Sequence, residues 1–261
     1  SLWQMQFVGP PFTFSFNQAG TNCGLISPHS GVDYDGRTYW MDYDNFYVFD
    51  GTVRKLNCTV RRYIYDNLNN NQKDKVFAGV NSEFTEIIWL YPSKNSDDCD
   101  SYVIFSPEEN YWTIGSCFWT TFNDRTVFGN TITTGTTVAG SHIYNNEPVS
   151  IYTGNGGPLT SFIESGDMEI GEAGDDIMFM DKVIPDFDLS SGTLKFSVVT
   201  KQYPESTESI TKGPYTIANT TSKIDLRARG RQAKIKVSCE STGAKWRWGS
   251  LRLGMQPDGR R

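Results

Sequence analysis

Carboxylates come in four clusters: Asp42 with Asp44, Asp97 with Asp98 and Asp100, Glu164 with Asp167 and Glu169, and Asp175 with Asp176. Two carboxylates a few ångströms apart can hydrolyse a glycoside, one as the acid and the other as base or nucleophile. Adjacency in sequence does not set that spacing. Every cluster lies among turn-forming residues, so solvated loops are expected and no catalytic residue is assigned. Asp33-Tyr34-Asp35-Gly36 and Asp42-Tyr43-Asp44-Asn45 begin like oxygen-ligand calcium loops, but each fails at its next ligand position, Arg37 in one and Phe46 in the other. His29 and His142 have no partner at metal-ligand spacing, and no serine elbow or triad pattern is present, so no metal and no cofactor is expected.

The five cysteines (Cys23, Cys58, Cys99, Cys117, Cys239) form no C-x-x-C pair and are odd in number. Neither a disulfide framework nor a zinc site is signalled, and free, buried thiols assembled in a reducing cytoplasm are expected. No run of about 18 apolar residues appears, which implies a soluble chain with no membrane insertion by this segment. Ser1 in place of a Met suggests a longer polypeptide upstream.

Charge is distributed unevenly. From Lys223 to Arg261 there are eleven Lys or Arg against three acids, a balance of +8, which leaves −14 for the rest of a chain whose total is −6. The candidate interface residues fall in this basic stretch: Arg227, Arg229, Arg231, Lys234, Lys236, Trp246, Arg247, Trp248, Arg260 and Arg261. Arg227, Arg229 and Arg231 alternate as if outward along one strand, either as solvated edge charges that deter aggregation or as a docking surface for an acidic partner or passing phosphates. Trp246 and Trp248 share one strand face and Arg247 the other, suiting the Trp pair to a core or an intersubunit seam. Gly230 is read as a bulge or tight hairpin between two arginines.

The elements that must position these residues are strands. Aromatics make up 14% of the chain, and Val, Ile, Thr, Phe, Tyr and Trp recur in short runs broken by Gly, Asn, Asp and Pro. Gln6 to Phe16, with Gly9-Pro10-Pro11, reads as an extended edge segment. Arg37–Met41, Phe46–Asp50 and Val53–Leu56 form a meander around the Asp50-Gly51 turn. A helical insertion is predicted over 58–79, with Val60, Tyr63, Ile64, Asn67 and Leu68 at helical spacing, Thr59 as cap, and a second turn over Gln72–Phe77. Further strands are predicted over Phe84–Tyr91, Tyr102–Phe105, Tyr111–Ile114, Cys117–Phe122, Val127–Ile132 and His142–Asn145. Trp40, Trp89, Trp112 and Trp119 lie inside these runs and suit blade cores better than a sugar-binding platform.

The Gly-rich stretch Thr153–Pro158 reads as a linker. Beyond it, strands are predicted over Leu159–Glu164, Ile177–Pro185, Thr193–Gln202, Lys223–Arg229, Gln232–Cys239 and Trp246–Met255. Within the fifth, Ile235 and Val237 point inward and Lys234 and Lys236 outward. The fold class is thus all-β: residues 1–155 as partial β-propeller blades with the helical insertion, and residues 156–261 as a β-sandwich-like platform. Two blades close no ring, which again implies sequence upstream.

Several segments together resemble the podovirus tail nozzle, or tail tubular protein B, family, whose members are also described as packaged-DNA stabilisation proteins. They are Gly20-Thr21-Asn22-Cys23-Gly24; Tyr39-Trp40-Met41 with Phe46–Gly51; Ala78-Gly79-Val80-Asn81-Ser82-Glu83-Phe84; Glu86–Ser93; Tyr111–Gly115; and Ser161–Ser165. The closing run is Arg227-Ala228-Arg229-Gly230-Arg231-Gln232, then Trp246-Arg247-Trp248-Gly249 and Pro257–Arg261. The resemblance spans nearly the whole chain, and the closing run is specific only in combination. It implies a non-enzymatic virion protein: an irregular propeller and platform, six copies of which form a homohexameric ring continuing the portal and adaptor channel, so that double-stranded DNA passes through during ejection. Portal-side adaptor proteins and tail fibres are the implied partners. The competing expectations are a tail-associated carbohydrate-binding module and a polysaccharide hydrolase.

Overall fold

The computed structural model describes residues 1–124, 132–137, 140–146, 153–154, 157–171 and 176–259. The described chain is all-β apart from one short helix and one 3-10 turn, and its strands pair antiparallel in several separate sheets. No ring of blades closes among the described residues. Two compact units are formed, Ser1–Pro148 and Val149–Arg261. The expected linker is a minimal hairpin, Thr153–Gly154 pairing with Gly157–Pro158, and it lies inside the second unit.

In the first unit, β1 (Leu2–Phe7) and β2 (Phe14–Gly20) make a two-stranded hairpin. The single edge segment expected from Gln6 to Phe16 is therefore corrected: its Gly-Pro-Pro centre turns the chain, which a proline run does more readily than it joins a ladder. Next come β3 (Gly31–Tyr34), β4 (Arg37–Met41), β5 (Phe46–Phe49) and β6 (Val53–Lys55), a four-stranded meander in chain order. Asp35 and Gly36, both at positive φ, form the two-residue turn between β3 and β4. That backbone twist matches paired strands, so the segment that began like a calcium loop is a hairpin turn.

The helical insertion is shorter than expected. The helix α1 spans Arg61–Asn67, its N-cap is Val60 with no side-chain cap bond, and a single 3-10 turn covers Lys73–Lys75. Thr59 is not the cap. Phe77–Asn81 is a strand, β7, so the insertion ends before 77 and the helical turn expected as far as Phe77 is corrected. β7 opens a second meander with β8 (Glu86–Tyr91), β9 (Ser101–Ser106) and β10 (Tyr111–Ser116).

The two meanders share one aromatic core. Phe46, Trp89, Trp112 and Phe105 pack with ring centroids 4.6 to 4.9 Å apart at the closest contacts, and Ile64 and Leu68 of the helical segment join them. The indole N–H of Trp89 donates to the Ser30 carbonyl at 3.0 Å and that of Trp112 to the Asn57 carbonyl at 3.0 Å, so two large rings are buried without an orphaned donor. A third sheet holds β11 (Trp119–Asn123), β12 (Ile132–Thr137) and β13 (Gly140–Asn145). It meets β7 where Phe122 lies over Gly79. Of the strand predicted over Val127–Ile132, residues 127–131 lie outside the described residues.

The second unit begins with β14 (Thr153–Gly154) and β15 (Gly157–Pro158), followed by β16 (Ser161–Glu164), β17 (Met168–Glu169), β18 (Met178–Ile184) and β19 (Phe187–Leu189). Then come β20 (Leu194–Lys201), β21 (Ile210–Ile217), β22 (Ile224–Gly230), β23 (Gln232–Cys239), β24 (Trp246–Trp248) and β25 (Arg252–Pro257). One sheet runs β16-β23-β20-β21, with β17 also on β23; another runs β22-β18-β25; β19 pairs β24. The two larger sheets contribute to one apolar core: Leu194, Phe196 and Val198 of β20, Met178, Met180 and Val183 of β18, and Leu226 of β22. Strict alternation along β20 and β22 supplies these inward faces. The single strand expected over Trp246–Met255 is corrected to two, β24 and β25, which belong to different sheets. β19 and β21 were not anticipated.

Candidate functional site

The basic C-terminal stretch is placed on three elements. Arg227 and Arg229 project from β22, whose even-numbered residues Leu226 and Ala228 are buried. Arg231 is not on that strand. It occupies the single-residue connection between β22 and β23, and those strands belong to different sheets, so the bulge or tight hairpin expected at Gly230 is corrected to a crossing from one sheet to the other. Gly230 is needed there because a Cβ would lie 2.9 Å from the Lys201 carbonyl oxygen and the Thr200 side chain. The Arg231 N–H donates to that same carbonyl at 2.9 Å, and the Arg231 guanidinium stands 5.9 Å from the Tyr203 ring centroid.

Most of these cations have partners inside the unit. Arg229 Nε donates to Asp258 Oδ2 at 2.5 Å and Nη2 to the Asp258 carbonyl at 3.2 Å. Lys234 pairs with Glu164, and Lys236 lies 3.9 Å from the other oxygen of the same carboxylate and 4.4 Å from the Phe162 ring centroid. The lysines do point away from Val237, which is buried, while Ile235 is only half-buried. Trp246 and Trp248 turn toward the core and Arg247 away from it. Trp246 Nε1 donates to Ser161 Oγ at 2.8 Å, and Trp248 stacks on Phe187 at 6.2 Å. Both indoles are half-buried. Arg260 and Arg261 lie outside the described residues.

Arg227 and Arg247 are exposed and, among the described residues, make no ion pair. Arg227 lines an open groove of about 660 Å³ together with Phe179, Asp181, Tyr215, Asp225 and Leu226. Asp181 and Asp225 share the groove with that guanidinium, and Lys223 Nζ pairs with Asp225 at 2.8 Å, so a polyanion bound there would meet both signs. The arrangement suits recognition of a surface of mixed charge.

The acid clusters hold structure. Asp44 pairs with Arg61 at 2.5 Å, and Asp42 accepts from the Tyr43 N–H at 2.7 Å. Asp98 pairs with Lys75 at 3.0 Å, while Asp100 accepts from the Ser93 N–H at 2.7 Å and hydroxyl at 2.6 Å. Asp167 lies 3.7 Å from Lys201, and Glu169 accepts from Gln232 Nε2 at 2.5 Å. Asp175 is outside the described residues. Among the described residues no three metal-ligating side chains gather. Trp40, Trp89 and Trp112 are buried and offer no open face to a sugar, and Trp119 is half-buried.

The partners that sequence reasoning did not find are Asp258 for Arg229, Glu164 for both lysines and Tyr203 for Arg231. Long-range pairs of this kind leave no local signal, because each joins segments tens of residues apart. No family model matches the sequence, and no curated protein matches it.

Proposed function

We propose that this chain is a structural subunit of a short-tailed bacteriophage virion, from the tail nozzle that continues the portal and adaptor channel. In this reading the two four-stranded meanders are propeller blades, the second unit is a sandwich-like platform, and six copies form the ring. DNA slides through it during ejection, aided by an acidic wall that repels phosphates rather than binding them. Adaptor proteins and tail fibres dock on its outside.

The observation that carries the reading is that the segments of the family resemblance secure one another instead of converging on a reactive cavity. Arg229 of the Arg-Gly-Arg-Gln run clasps Asp258 of the closing Pro-Asp-Gly. Trp246 of the Trp-Arg-Trp run bonds Ser161 of the Ser-Phe-Ile-Glu-Ser segment.

The docking role falls to Arg227 and Arg247, whose charges face solvent. Phage carrying Arg227→Glu with Arg247→Glu should assemble heads but fewer complete tails, and infectivity should fall. Wild-type titre and tail composition in that double variant would remove these residues from the interface.

A further inference from the structure

The β1–β2 hairpin is amphipathic, and among the described residues nothing covers its apolar side. Antiparallel register puts Met5 opposite Phe16 and Phe7 opposite Phe14 on one face, beside Trp3; Gln4 opposite Asn17 and Gln6 opposite Ser15 occupy the other. From Trp3 to Gln18 every residue is exposed except Gly9 and Ser15, which are half-buried. Phe12 is 77% exposed, Phe7 66% and Phe16 63%. The base is anchored, since Gly20 lies so near the Val53 side chain that a Cβ would meet it at 2.7 Å. The distal part stands clear.

Two features identify what the hairpin meets. The turn from Val8 to Thr13 has Gly9, Pro10 and Pro11 at its centre, as solvated turns also do, but Val8 and Phe12 beside them are apolar and exposed, 51% and 77%. A partner laid along the face would cover Met5, Phe7, Phe14 and Phe16 and leave the turn in water. A medium entered end-on takes up Val8 and Phe12 as well. Second, no Asp, Glu, Lys or Arg occurs from Ser1 to Val32, in a chain that is 21% charged. Neutral Gln, Ser and Asn form the polar face, so entry into a low-dielectric layer strips no ion of its water.

We infer that the β1–β2 turn inserts into a lipid bilayer, seating Val8, Phe12 and the Phe7–Phe14 pair at the headgroup–acyl boundary. Insertion stays shallow, because the open edges of a two-stranded hairpin have backbone groups that hydrocarbon cannot satisfy. This departs from the expectation that the segment leaves membranes alone: that expectation rested on the lack of a long apolar run, which bears on spanning helices and not on a turn at the interface. The inference stands on the hairpin alone and is independent of the tail reading.

The test is flotation of the full chain with phosphatidylcholine vesicles, and with vesicles containing phosphatidylglycerol, comparing wild type with Phe12→Asp/Phe14→Asp. Both side chains are exposed, so the variant keeps its circular dichroism. The wild type should float with both vesicle types, and the variant should partition about tenfold less or weaker still. No flotation of the wild type, flotation only on the anionic vesicles, or a variant that floats as well as wild type overturns the inference. So does a wild-type oligomer in lipid-free sedimentation that the variant converts to monomer without any vesicle binding, since the face then joins two copies of the chain.

Discussion

Arg229 and Asp258 tie the two ends of the closing sequence together: the guanidinium reaches the carboxylate at 2.5 Å and the carbonyl of the same residue at 3.2 Å, joining β22 to the chain just beyond β25. Both strands flank β18, so the clasp closes the sheet across its central strand. Each side chain is about half exposed, 52% and 48%, and water screens the pair. Arg229→Ala, Asp258→Ala and the double variant should give a coupling of about 0.5–1 kcal/mol in urea titrations. Additivity of the two single changes would show that the pair contributes nothing of its own.

Trp89 is the centre of the first unit's core, fully buried among Phe46 and Trp112. Trp89→Ala should destabilise that unit by about 3–5 kcal/mol, from lost burial and the cavity left behind. Trp89→Phe should cost far less of the ring packing and, through the lost bond to Ser30, about 1 kcal/mol more, because the Ser30 carbonyl still accepts from the Met41 N–H at 3.1 Å. Equal losses in the two variants, measured by denaturant unfolding, would contradict this division.

Gly79 sits on β7 where a Cβ would come within 2.7 Å of the Phe122 ring. Gly79→Val should therefore lower stability by about 1–3 kcal/mol despite the better strand propensity of valine. With Phe122→Ala added, the double variant should lose less than the sum of the two single losses, because the two changes share one contact. If the single variant is as stable as wild type in a thermal melt, the close packing of β7 against β11 is wrong.

Burial pushes the Cys99 thiol up to about 12 and the Cys58 and Cys117 thiols up to about 11. Desolvation disfavours the charged thiolate, so these groups stabilise the fold below the ordinary thiol range and that contribution is lost as pH climbs toward 11–12. At pH 7.5 their thiolate fractions are lower than an ordinary thiol's by about two to three orders of magnitude. Alkylation should be slow in the native protein and should reach five thiols per chain after unfolding, since all five cysteines are free. Rapid native labelling at Cys99, read by peptide mass spectrometry, would contradict the burial.

Local signals were legible where physics is local. Alternation shows the outward arginines of β22 and most of β23, and Asp50-Gly51 marks a turn whose glycine has φ +105°, a conformation that costs other residues strain. Asp35-Gly36 is an equally good hairpin signal, but with Asp33 two residues earlier the same stretch also begins like a calcium loop, so its sequence does not single out β3. The helical spacing from Val60 to Leu68 holds for the buried Ile64, whereas Leu68 is buried just past the helix in extended backbone, and Phe77–Asn81 pairs with β8 instead of extending a helix: tertiary pairing outweighs a weak local pattern. Candidate-site residues were harder. Alternating arginines look alike whether they face a partner or an internal carboxylate, and only the fold brings Asp258, Glu164 and Tyr203 to them.

The nozzle reading is tested most directly by electron microscopy of partly disrupted virions labelled with an antibody raised against residues 223–259. The account predicts label on a six-fold ring at the portal end of the tail. Label confined to fibres or spikes, or none on purified virions, would contradict it.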